Sequence, residues 1–132
     1  MLNPYQKYAQ NQVNTAPPEE LTLMLYKGAL KFINLGLKAF DEEKMEEVHI
    51  SIIRAQDIYY ELMRTLDHNY QISNELARLY DFILHVLTQA NIKKDKELLQ
   101  QAADMSKEFV ETWNEAIKIY RRSQGTKRSE IG

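Results

Sequence analysis

From residue 17 onward, apolar residues recur at three- and four-residue spacings in four long stretches separated by short polar breaks. That spacing is the period of an amphipathic α-helix. The first stretch runs from about residue 17 to 40. Thr15 is its candidate N-cap, Pro17 and Pro18 fit only a first turn, and Glu19 and Glu20 complement the positive end of the helix dipole. Asp41-Glu42-Glu43 interrupts the pattern. The second stretch, from about 44 to 66, aligns Val48, Ile52, Ala55, Tyr59, Leu62 and Leu66 on one face, and Asp67-His68-Asn69 predicts a turn. The third begins near Ser73 or Asn74 and carries Leu76, Leu79, Tyr80, Ile83, Leu87 and Ala90. Residues 91–94 connect it to the fourth, which Asp95 caps and which carries Leu98, Ala102, Met105, Phe109, Trp113, Ala116 and Tyr120. Three short connections make consecutive helices antiparallel neighbours. The pattern predicts an all-α, antiparallel four-helix bundle over 17–121, a flexible N-terminal arm over 1–16 and a disordered basic tail over 122–132. Asn3-Pro4 reads as a cap and first position of one short helical turn within the arm.

The first helix differs from the others. Placed at 100° steps, Leu21, Leu25, Gly28, Phe32 and Ala39 form one stripe, and Leu23, Tyr26, Leu30, Ile33, Leu37 and Phe40 form a second. Lys27, Lys31, Asn34 and Lys38 share the remaining sector. The apolar arc spans roughly 280°, against the ~100° stripe of an ordinary surface helix. A bundle helix touches two neighbours and cannot bury such an arc, so a further cover is expected: the N-terminal arm, a second copy, or a partner chain. Helix 4, by contrast, confines its apolar residues to one broad sector. Eight tyrosines add rings with polar tips, a residue type suited to binding surfaces and to the rims of cores.

Composition narrows the class. In 132 residues there are four Gly, three Pro and no Cys, which argues against an all-β fold and excludes disulfides and thiolate metal sites. A reducing cytoplasm is the expected location. No apolar run reaches the length of a membrane span, and the first residues lack the pattern of a signal peptide. The net charge of −2 gives no bulk attraction for nucleic acid. Charge is unevenly placed: residues 41–70 carry eight acids against three bases, and residues 121–132 carry four bases against Glu130.

Catalytic and metal chemistry finds little footing. Glu46 and His49 have the spacing of a metal-binding pair, but a di-metal bundle needs that pair twice. Asp81 and His85 lie opposite the apolar stripe of their helix. No serine sits in a Gly-rich strained turn, and there is no phosphate loop. A non-enzyme without cofactor or metal is the expectation.

Specific residues point further. Tyr8, Gln12 and Val13 lead into Thr15-Ala16-Pro17-Pro18-Glu19-Glu20-Leu21, followed by Leu25-Tyr26 and Gly28-Ala29. Arg54-Ala55, Ile58 and Glu61-Leu62 follow in the second helix, Ile72-Ser73-Asn74, Leu76, Leu79-Tyr80-Asp81 and Ala90-Asn91 in the third, and Trp113 in the fourth. Over residues 5–120 the chain resembles the FliS family of flagellar export chaperones. The resemblance implies an antiparallel four-helix bundle that binds the disordered C-terminal segment of flagellin, prevents its premature polymerisation and, when loaded, engages a component of the flagellar type III export gate. It also implies an N-terminal arm that covers part of the cargo site when cargo is absent. By the same resemblance, Tyr8, Gln12, Val13 and Thr15 in the arm, and Leu25, Tyr26, Ala55, Ile58, Leu79, Tyr80 and Asn91 in the bundle, are the expected partner-binding residues. The alternative to a cargo chaperone is a homodimeric structural bundle that self-associates through the excess apolar face of helix 1.

Overall fold

The computed structural model describes residues 16–131, with side chains described as far as residue 125. Every regular element among these residues is helical: α1 (Pro18–Asp41), α2 (Met45–Arg64), α3 (Ile72–Lys93) and α4 (Lys96–Ile131). Pairings between turns set the register. Gly28 lies beside Ile58 and Gly36 beside Ser51, so α1 and α2 are antiparallel. Gln56 and His49 of α2 bond to Thr88 and Asn91 of α3, and Glu19 and Gly36 of α1 meet Trp113 and Leu99 of α4. Each helix packs on the two flanking it in a square, with α1 diagonal to α3 and α2 diagonal to α4.

Helix boundaries follow local chemistry. Pro17 occupies the N-cap of α1 with no side-chain cap bond, and Glu19 and Glu20 fill the first turn. The cap expected at Thr15 lies outside the described residues, as does the Asn3-Pro4 turn. The Asp67 main-chain carbonyl accepts from Ser73 Oγ at 2.5 Å, and its carboxylate accepts from the Asn69 N–H at 3.0 Å, closing the α2–α3 turn. Asp95 caps α4 as expected, its Oδ1 accepting from the N–H groups of Glu97 (2.9 Å) and Leu98 (3.3 Å). The preceding Lys94 ends α3 in the left-handed region, φ 47°. α4 runs on to Ile131, so helical backbone extends through the region expected to be a disordered tail. Arg, Gln, Lys and Glu are adequate helix formers, and Gly125 costs only about 1 kcal/mol without terminating the helix.

The core takes one face from each helix. Ile33, Val48, Ile52, Leu62, Ile83, Leu87 and Leu99 are fully enclosed, each worth roughly 1.5–3 kcal/mol of transfer free energy. Small residues bring α1 and α2 close: a Cβ added at Gly36 would lie 3.1 Å from Leu99 Cδ2 and 3.4 Å from Ser51 Cβ.

Candidate functional site

Among the described residues α1 is flanked by α2 and α4, and its apolar arc exceeds what they enclose. Tyr26, Ala29, Ile33, Gly36 and Ala39 are buried. Leu21, Leu23, Met24, Leu25, Leu30, Phe32, Leu37 and Phe40 are only half-buried, and Leu35 is 45 % exposed. Apolar flanks thus remain on both sides of α1.

The expected partner-binding residues divide by depth. Tyr8, Gln12, Val13 and Thr15 lie outside the described residues. Tyr26, Ala55 and Tyr80 are buried in the bundle, and of these Tyr26 and Tyr80 reach the floor of a cleft at one end of it. Leu25 and Ile58 are half-buried, with Ile58 against Gly28, one turn from Leu25. Leu79 is 45 % exposed on the outer side of α3. Asn91 is committed internally: its amide accepts from Lys94 Nζ and places Nδ2 2.8 Å from His49 Nδ1. That arrangement makes the ring nitrogen an acceptor and ties the end of α3 to the start of α2.

The enclosed tyrosines form one aromatic layer with Phe109. Tyr26 stacks on Phe109 with centroids 5.1 Å apart and meets Trp113 edge-on at 6.1 Å. Tyr59 and Tyr80 close the group at 5.9 Å from each other. The hydroxyls of Tyr26 on α1 and Tyr80 on α3 bond across one diagonal of the square, and Tyr59 on α2 bonds Ser106 on α4 at 2.6 Å across the other. Burial is the main cause that raises the phenol pKa of all three tyrosines above its ordinary value, so each stays neutral at physiological pH. No described buried side-chain nitrogen or oxygen lacks a partner.

Beside this layer, a cleft of about 230 Å³ opens at the end of the bundle where α1 begins, lined by residues including Thr22, Leu66, Tyr70, Ile72, Leu76 and Trp113. Trp113 Nε1 donates to the Glu19 carbonyl at 2.9 Å, and Arg121 bonds Glu20, so α4 holds the first turn of α1. Trp113, Ala116, Ile117 and Tyr120 line a neighbouring apolar notch of about 280 Å³. The composition of these clefts, with contributors from all four helices, had no signal in periodicity. Individual lining residues were marked in advance, Leu76, Trp113, Ala116 and Tyr120 by their helical stripes and Tyr26, Ile72 and Tyr80 by the resemblance, but nothing in the sequence joined them.

For metal chemistry, no group of three or more His, Cys, Asp or Glu converges among the described residues. Glu46 and His49 are exposed, as are Asp81 and His85. Among the described residues no helix is long and apolar enough to cross a membrane.

A family model described as "Flagellar protein FliS" matches residues 1–120. The chain is 43 % identical over 122 residues to the flagellar secretion chaperone FliS of Bacillus subtilis, covering 92 % of each chain. It is 29 % identical over 113 residues to the FliS chaperone of Campylobacter jejuni, covering 84 % of this chain and 88 % of the relative. Against the Vibrio cholerae FliS chaperone the identity is 27 % over 122 residues, covering 90 % of each.

Proposed function

The chain belongs to the FliS family of flagellar secretion chaperones, and from that premise we propose that its cargo is the disordered C-terminal segment of flagellin. It holds that segment in the cytoplasm, blocks premature polymerisation and delivers the cargo to the flagellar type III export apparatus, whose gate component engages the loaded complex. Such a role is one of holding and not of catalysis.

The observation that supports this reading is the half-covered state of α1. A disordered segment can lay amphipathic turns along apolar flanks, at the cost of its ordering entropy. Leu25 and Ile58 offer the flank between α1 and α2, and Leu79 offers the outer edge of α3. Tyr26, Ala55 and Tyr80 act from beneath by fixing helix spacing, and Asn91 acts by joining α3 to α2. Residues 1–15, with Tyr8, Gln12, Val13 and Thr15, serve as a displaceable cover. Each anchor is worth at most roughly 1.5–3 kcal/mol, while ordering a residue costs about 1–2 kcal/mol, so a cover with few anchors sits near balance.

The test is binding of purified flagellin, intact and lacking its C-terminal segment, measured by calorimetry, with flagellin polymerisation followed by light scattering. Intact flagellin should bind and stop polymerising, and the truncated form should do neither. Equal binding of the two would refute the cargo assignment. Hydrogen exchange tests the cover: residues 1–15 should change protection when flagellin binds, and an unchanged arm refutes that part.

A further inference from the structure

We infer that the outward face of α1 seats a helical stretch of the cargo that carries an acidic edge, with Lys27 and Lys38 as its counter-charges and Leu35 and Ile50 as its apolar contacts. This rests on the cargo reading above and assigns a surface that the family resemblance did not mark.

Two adjoining clefts flank this face. One, of about 510 Å³, has Leu30 and Leu35 between Lys27, Lys31 and Lys38. The other, of about 450 Å³, runs between α1 and α2 and joins Phe32, Leu35 and Ile50 with Lys38, Glu42 and Glu47. Leu35 and Lys38 belong to both, so the clefts are continuous across the ridge of α1. Leu35 is 45 % exposed and Ile50 49 %, a pair of aliphatic side chains on the surface of one furrow. Seating a helix there would remove them from water.

Charge selects the occupant. Between Glu20 and Asp41, α1 carries no acidic residue, so Lys27 has no carboxylate within a turn of it on its own helix, and Lys38 has only Asp41, which bonds Lys96 of α4. Lys27 and Lys38 are eleven residues apart, which is about 16 Å along a helix. An amphipathic helix of three or four turns spans that distance with acidic side chains on one edge and apolar ones beneath. Farther along, Glu42 and Glu47 line the same furrow, with Lys44 Nζ 3.2 Å from the Glu42 carboxylate. The potential therefore changes from positive over Lys27–Lys38 to mixed over Glu42–Glu47, which orients the guest: its acidic part over the lysines, its neutral or basic end over the glutamates.

The experiment measures association and dissociation rates of purified flagellin with the full-length chain and two variants, Lys27→Glu/Lys38→Glu and Leu35→Asp. Circular dichroism serves as the folding check, since all three side chains are exposed. Charge reversal should slow association about tenfold at low ionic strength and converge on the wild-type rate in high salt. Leu35→Asp should speed dissociation about tenfold or more through loss of an apolar contact. Wild-type rates in both variants, with flagellin still bound by the wild type, would overturn this assignment and leave the cargo reading standing. Failure of the wild type to bind flagellin sinks the cargo reading itself. If the variants leave flagellin binding intact but dissociate a dimer in sedimentation, the face belongs to a second copy. If they instead destabilise only the full-length chain and not one lacking residues 1–15, it belongs to the arm. Either result refutes the proposal.

Discussion

The Tyr26–Tyr80 hydroxyl pair offers a test of what a hydrogen bond inside an apolar bundle contributes. Both residues are about 1 % exposed, and their hydroxyls bond to each other across the α1–α3 diagonal. Tyr26→Phe removes one hydroxyl and leaves Tyr80 Oη buried without its partner, and Tyr80→Phe does the reverse. Each single variant should lose about 1–3 kcal/mol, the penalty for an orphaned buried polar group. The double variant removes both hydroxyls and keeps the rings, so the stacking of Tyr26 on Phe109 persists. It should lie close to wild type and be more stable than the sum of the single effects by about 2 kcal/mol. Urea unfolding followed by far-UV circular dichroism resolves this. With a slope of roughly 1–3 kcal/mol per molar, a 2 kcal/mol loss moves the midpoint by about 1 M. Additive single effects would refute the argument, because they would mean that each hydroxyl finds another partner or water when its mate is gone.

Other consequences are as direct. Gly36→Ala should destabilise by about 1–3 kcal/mol, because its Cβ would meet the fully enclosed Leu99 at 3.1 Å. Gly28→Ala meets only the tip of the half-buried Ile58 at 3.2 Å and gains helix propensity, so it should be neutral to about 1 kcal/mol stabilising in the same unfolding assay. Tyr26, Tyr59 and Tyr80 have phenol pKa values raised by burial, whereas in the unfolded chain they ionise near pH 10. The unfolded state then binds fewer protons above about pH 10, so their contribution is intact below that pH and is lost as pH rises further. Urea midpoints at about pH 9 and about pH 11 should fall steeply in the wild type and less so in Tyr26→Phe/Tyr80→Phe; equal slopes would contradict this.

Much of the fold was legible because it is periodic. Val48, Ile52, Ala55, Tyr59 and Leu62 shared a predicted face and share the core. The short polar breaks became the connections, and Asp95 became a cap because its side chain reaches the next helix's first N–H groups. Periodicity misjudged the exposure of some residues. Ala116 and Tyr120 continue the stripe of α4 but are exposed beside the first turn of α1, where Ile117 takes the buried position. Leu79 sits at the margin of the α3 stripe and is 45 % exposed, since among the described residues α3 packs on α2 and α4 alone. The site was less legible still. The resemblance marked Tyr26 and Tyr80 as expected contacts, yet the feature that decides their place is a bond between residues 54 apart in sequence, which no local pattern encodes.

That bond also answers a question raised by the unusual breadth of apolar residues on α1. A helix apolar through roughly 280° has several rotations about its own axis that would bury comparable area, and area alone discriminates poorly among them. The lysine sector excludes only rotations that turn Lys27, Lys31 and Lys38 inward. Two further features narrow the choice. Gly28 and Gly36 admit Ile58 and Leu99 at distances that a side chain there would disturb, so only their face can meet α2 and the core this closely. Tyr26 then places one hydroxyl where Tyr80 can receive it, and any other rotation buries that hydroxyl unpaired or withdraws it from its partner. A polar contact thus supplies a uniqueness that hydrophobic area cannot, a role attested for single buried polar groups in other helical assemblies. Here it has a functional corollary: with its rotation held from the inside, α1 keeps apolar flanks at the surface without turning them into the core.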